Sequence, residues 1–222
     1  RDVLGSRGLG DVYKRQAELY QKELAKNGNH PEQIQVISPL RKDTDAGADA
    51  LNPVLRDIVN PRRYGYPEQK NGAVTYRQKD RVMQLKNTEE VSNGDVGEVL
   101  NIYQKDGKNV LRVDFGEHRI LEYTDGEIWP LNLAYCVTVH KAQGDEYPVV
   151  ILPMLTCFYR MLRKNLFYTA VTRAKRKLIL VGSKKAMAIA IHNDTVSSRN
   201  TMFGMRIRKI RDAILEQEKK TA

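Results

Sequence analysis

Four short, mostly apolar runs constrain this chain more than anything else in it: Gln33 to Ser38 (QIQVIS), Ala134 to Val139 (AYCVTV), Val149 to Leu152 (VVIL) and Leu178 to Val181 (LILV). Each is too short for an ordinary helix, and the last three lack the polar alternation of a strand with one wet face. Each therefore reads as a strand buried on both faces. Such a sheet needs helices on both sides. Helical patterns run over Ala17 to Asn27 (Leu19, Tyr20 and Leu24 on one face), Ala46 to Val59 (Leu51, Leu55, Ile58, Val59) and Leu155 to Thr172. Pro53 requires the second to start late or bend.

The character changes in the middle. Arg81 to Leu85, Val96 to Tyr103, Val110 to Phe115 and Arg119 to Tyr123 are short runs rich in Val, Ile, Leu and Tyr. Turn signals at Asn93-Gly94-Asp95, Asp106-Gly107-Lys108 and Gly116-Glu117 separate them. They predict a small antiparallel barrel inserted into an α/β domain. Pro61 to Asn71 reads as an exposed linker, and Trp129 as a barrel or hinge core residue in preference to a stacking platform. The tail from Ser183 to Ala222 reads as helical, with a basic run at Met205 to Arg211.

A formal net charge of +10 over 222 residues favours a polyanionic partner, nucleic acid first. No run approaches the roughly 18 apolar residues of a membrane span. Cys136 and Cys157, without C-x-x-C spacing, read as reduced core thiols of a cytoplasmic protein. No metal-ligand cluster is expected. Arg1 to Gln16 (RDVLGSRGLGDVYKRQ) has no hydrophobic period and joins abruptly to the helix pattern at Ala17. Asp11 to Gln16 is what the transposon end used in sequencing-library preparation encodes in one frame. Residues 1–16 thus read as adapter-derived, with a genuine basic arm as the other reading.

Three segments carry the chemistry. Thr138 to Glu146 (TVHKAQGDE) is a polar, glycine-containing loop between two apolar runs. Phe167 to Gly182 (FYTAVTRAKRKLILVG) is a helix pattern with a cationic end before a buried strand. Gln35 to Asp43 (QVISPLRKD) puts Arg41 just past a strand end. Taken in chain order, Gln35 to Asp43, the segment RVMQLKN…VSNGDVGEV, Thr138 to Glu146 and Phe167 to Gly182 resemble the fourth motif, the barrel insertion and the fifth and sixth motifs of RecD-like helicases of superfamily 1B. The resemblance runs from Gln33 to about Phe203. It implies a RecA-like parallel sheet with helices on both faces, interrupted by a small SH3-like antiparallel barrel. The implied divisions are 17–77 and 131–186 for the RecA-like domain, 78–130 for the barrel and 187–222 for the tail.

The resemblance also implies roles. Arg173, with Arg41, would be an arginine finger on the γ-phosphate of ATP. Gln143 would sense that phosphate, Gly144 would let backbone approach the ligand, and Glu146 would accept from a ribose hydroxyl. Thr138, His140 and Lys141 would grip single-stranded DNA, with Arg81, Lys86 and Asn87 of the barrel as further contacts. From the residues alone, a basic helix end favoured by the helix dipole and ordinary turn chemistry remain the other readings. No G-x-x-x-x-G-K-[ST] loop occurs, so ATP and Mg2+ would be held mainly by a first RecA-like domain in cis. The implied function is the C-terminal motor part of an ATP-dependent 5′-3′ DNA helicase, alone or with nuclease-complex subunits, and with no membrane partner. A stand-alone single-stranded nucleic-acid-binding module and the helicase part of a relaxase are the alternatives.

Overall fold

The computed structural model describes residues 9–193, with side chains from residue 13 onward. The basic run at Met205 to Arg211 lies outside the described residues. Helix α1 (Leu9–Lys26) leads through a single 3-10 turn at Pro31–Gln33 into β1 (Ile34–Ser38) and α2 (Ala48–Val59). A hairpin of β2 (Glu68–Asn71) and β3 (Val74–Arg77) follows, then β4 (Arg81–Gln84), β5 (Val96–Lys105), β6 (Lys108–Asp114), β7 (Ile120–Thr124) and β8 (Leu131–Leu133). The chain then returns through β9 (Cys136–Thr138), β10 (Tyr147–Met154), α3 (Lys164–Val171), β11 (Ala174–Gly182) and α4 (Lys184–His192).

The four apolar runs form one parallel sheet in the order β11-β10-β1-β9. Alternation along these strands serves two cores. Ile34, Val36, Val149 and Ile151 join Tyr20, Leu24, Leu51 and Leu55 of α1 and α2. Ile37, Val150 and Leu152 join Ala170, Ala186 and Ala190 of α3 and α4. Helices therefore cover both faces of β1 and β10, as continuous apolar strands require, whereas β11, expected to be buried on both faces, is an edge strand in which Leu178, Ile179 and Leu180 are only half-buried. The first core runs on into the antiparallel sheet β7-β6-β5-β4-β8, through Val82, Val99, Leu111 and Val113. The insertion is thus welded to the parallel sheet rather than hung from it.

Two buried polar residues secure that weld. Asn52, 2% exposed, donates from Nδ2 to the Cys136 carbonyl (3.0 Å) and accepts from the Cys136 N–H (2.8 Å). A helix side chain thereby pairs the outer edge of β9, which has no strand neighbour there. Asp80, fully buried, accepts from Asn60 Nδ2 (2.8 Å), the Arg77 N–H (2.7 Å) and the Tyr135 hydroxyl (3.2 Å). It ties the end of α2, the hairpin and the approach to β9 together. Burial raises its carboxyl to about 6 despite those donors.

Several expectations are corrected. The helix pattern at Ala17 does not begin there: α1 runs through the junction from Leu9, with Tyr13 and Leu19 packed against the core. Gln16 is buried on that helix, and its amide has no protein partner. Leu155 to Thr172 is not one helix. A 3-10 turn at Thr156–Phe158 sinks Phe158 and Leu162 into the core, and Arg163 is extended (φ −118, ψ 146) before α3 begins. The segment read as a linker ends in the hairpin β2–β3, whose two-residue turn has Gly72 at φ +59. Cys136 is buried as expected, but Cys157 is exposed. Trp129 is 54% exposed and is not a core residue.

Candidate functional site

All strands of the sheet run the same way, so the loops after β1 and β9 share its carboxyl edge. Arg41 lies in the first loop, and its Nε stands 3.2 Å from both oxygens of Asp49 on α2. Asn132 donates to the same carboxylate at 3.2 Å. Lys141 lies in the second loop. Burial, with the nearby Arg41 charge added, holds its ammonium below the usual lysine range. The two cations are therefore close enough to feel each other, a geometry suited to a polyanion bridging them.

The turn after β9 is self-built. The Lys141 and Ala142 N–H groups both donate to the Thr138 carbonyl at 3.0 Å, and Thr138 Oγ1 also faces the Lys141 N–H at 3.4 Å. Val139 and Ala142 sink into the core, which pushes His140 and Gln143 outward and leaves Lys141 half-buried. Gly144 has φ +98 with open space where a Cβ would point. Its glycine therefore answers to backbone conformation, not crowding. Lys141 Nζ donates to Asn93 Oδ1 in the barrel turn between β4 and β5. Between that turn and the loop lies an open cleft of about 430 Å3, lined by Asn93, Gly94, Asp95, His140, Lys141, Gln143 and Asp145.

Arg173 sits at the opposite edge, just before the amino end of β11. Its Nη1 donates to the Asp145 carbonyl (3.0 Å), Nε to the Thr169 carbonyl (3.1 Å) and Nη2 to Thr172 Oγ1 (3.2 Å). The Tyr147 N–H returns a bond to the Arg173 carbonyl at 2.8 Å. One guanidinium thus clamps the end of α3 to the far end of the 139–146 loop, with donors to spare. Glu146 is engaged by Lys175 at 3.2 Å in an exposed ion pair.

The expected residues fall into two groups. Arg41, Thr138, His140 and Lys141 gather at the carboxyl edge. Asn87 and Lys86 join them through the barrel turn, since Asn87 Oδ1 accepts from the Asn93 N–H at 2.7 Å. Arg173 and Glu146 lie at the amino edge, with Gln143 and Gly144 on the loop between. Arg41 and Arg173 are therefore not brought together in this domain. Arg81 also departs from its expected group: its Nη1 reaches the Pro31 carbonyl (3.5 Å) beside the amino end of β1, away from Lys86. Sequence reasoning missed Asp49 and the second role of Asn93. The Asn-Gly-Asp turn signal explained Asn93 locally, and nothing in the sequence marks a contact 48 residues away. Among the described residues, no group of His, Cys, Asp and Glu could hold a metal ion, and no helix is long and apolar enough to cross a membrane.

Both parts of the chain resemble known proteins. A model of the UvrD-like helicase C-terminal domain matches residues 133–181. A model of the SH3 domain of ATP-dependent RecD-like DNA helicases matches residues 51–115. The chain is 37% identical over 180 residues to the ATP-dependent RecD2 DNA helicase of Deinococcus radiodurans, covering 80% of this chain and 24% of that protein. It is 36% identical over 119 residues to the RecBCD enzyme subunit RecD of Mycobacterium tuberculosis, covering 53% of this chain and 19% of that one. The chain thus spans no more than about a quarter of the length of these relatives. Bacteroides Pif1 bound to ssDNA matches with a TM-score of 0.40 and 17% identity, over 66% of this chain and 40% of that one.

Proposed function

Since this chain is a RecD-like helicase sequence, carrying that family's SH3 domain and a UvrD-like helicase C-terminal domain, we propose that it is the second half of an ATP-driven 5′-3′ DNA translocase. The carboxyl edge grips single-stranded DNA through Lys141, His140, Thr138 and Arg41. Arg173 at the amino edge faces the γ-phosphate of ATP held, with Mg2+, by a first RecA-like domain in the same polypeptide. The observation that carries this reading is the loop from Thr138 to Glu146. One end of it carries the half-buried Lys141, and the other is clamped by Arg173. A charge arriving at Arg173 competes with the Asp145 carbonyl for the guanidinium. Releasing that carbonyl frees the loop that bears the DNA contacts. Nucleotide state thereby alters grip on the strand, which net movement requires. Arg41 at the opposite edge acts on the strand rather than as a second finger.

The chain by itself is expected to hydrolyse almost no ATP, because its sequence contains no G-x-x-x-x-G-K-[ST] loop to cradle a triphosphate. The test joins it to the first motor domain of the Deinococcus relative. Arg173→Ala in that chimera is expected to lower kcat for DNA-stimulated ATP hydrolysis by about 10³-fold or more, while oligonucleotide affinity without nucleotide stays within a few-fold. An unchanged kcat would remove Arg173 from the mechanism.

A further inference from the structure

Trp129 is the single tryptophan of the chain, and it stands 54% exposed in a turn whose neighbours point inward. Ile128 is 1% exposed and Leu131 is 3% exposed. The turn is pinned by the Leu131 N–H on the Ile128 carbonyl (2.9 Å) and the Leu85 N–H on the Pro130 carbonyl (2.6 Å). Lys86 Nζ lies 4.1 Å from the centre of the indole ring. That cation sits over one face of a ring that stays 54% exposed.

The exposed indole is a large, rigid π surface that a planar ligand can cover. What lies beside it indicates the cover. Lys86 precedes Asn87, whose carbonyl oxygen binds the Asn93 N–H, and Asn93 in turn binds Lys141. An unbroken strip therefore leads from the indole along the barrel turn to the cationic edge of the parallel sheet. An aromatic face beside a lysine, continuous with two further cations, matches a strand of alternating bases and phosphates.

We propose that Trp129 is a stacking platform on the barrel for one base of the single strand gripped at Lys141, with Lys86 meeting the adjoining phosphate. This deepens the function proposed above and rests on it. The base lies on the ring face away from Lys86. Because stacking accepts any base, the contact adds affinity without sequence preference, as a translocase needs.

Being the sole tryptophan, Trp129 reports on itself. The 222-residue chain is titrated with an oligo(dT) of about 15 nucleotides and with an abasic oligonucleotide carrying the same phosphates. Anisotropy of a terminal dye follows binding, and indole emission follows stacking. Oligo(dT) is expected to quench the emission over the range in which it binds, whereas the abasic strand binds without quenching. Trp129→Ala should weaken oligo(dT) binding about 5- to 150-fold and leave abasic binding within about two-fold. Trp129→Phe should keep most of the affinity. Binding of oligo(dT) without quenching, or equal losses for both strands in Trp129→Ala, would overturn the platform while leaving the DNA reading intact. No binding of either strand at low salt would overturn both.

Discussion

Replacing Asn52 by alanine should cost this fold far more than a typical amide truncation. The Asn52 side chain makes both of its bonds to one residue, at 2.8 Å to the Cys136 N–H and 3.0 Å to its carbonyl. Cys136 is 1% exposed and lies on the outer strand of the sheet, so alanine strands a donor and an acceptor with no neighbouring strand to take them. Each stranded group costs about 1–3 kcal/mol. Partial rescue by water at the edge brings the pair to about 3 kcal/mol. With a urea m value of about 2 kcal/mol/M, the unfolding midpoint should fall by about 1.5 M at unchanged m. Equilibrium urea unfolding followed by far-ultraviolet circular dichroism measures it. A drop of less than about 0.3 M would mean that the edge of β9 is satisfied in some other way, and the account of how α2 holds the site loop would fail.

Two further outcomes follow from the same geometry. Asp80 is raised to about 6, above its unfolded value, so the folded state holds the proton more tightly. Its contribution is therefore complete below about pH 4 and is lost as pH rises through about 6. The stability difference between the wild type and Asp80→Asn should accordingly shift by about 2–3 kcal/mol in the variant's favour from pH 4 to pH 7, read from urea unfolding at each pH; a pH-independent difference would refute the assignment. Lys141→Ala should weaken oligonucleotide binding and reduce the slope of log K against log salt by about 0.7, one phosphate on a single strand; an unchanged slope would take Lys141 out of the interface.

Much of the architecture was legible in local pattern. A run such as VVIL, buried at every position, is too short for a helix and reads as a strand with two dry faces, which calls for helices on both sides; LILV has the same pattern but lies at the sheet edge, where it is only half-buried. The motif loops were legible for a related reason: polar and glycine residues directly after such strands have no core to join. Where pattern failed, competing tertiary burial was the cause. Phe158 and Leu162 prefer the core to a continuous helix, and the Asn71-Gly72 signal was hidden among polar residues that pair without an apolar face.

By itself, the sequence determined the class of fold, the order of the parallel strands and the inserted barrel, and which loops carry polar chemistry, because these depend on periodicity and on neighbours a few residues apart. Only the tertiary structure decided that Arg41 sits with Lys141 and Arg173 at the other edge, that Arg81 turns away from Lys86, and that Trp129 faces water. Those outcomes depend on strand order and direction, and on contacts between residues dozens of positions apart, such as the one joining Asn93 to Lys141. No local pattern encodes which strand end a distant side chain will meet.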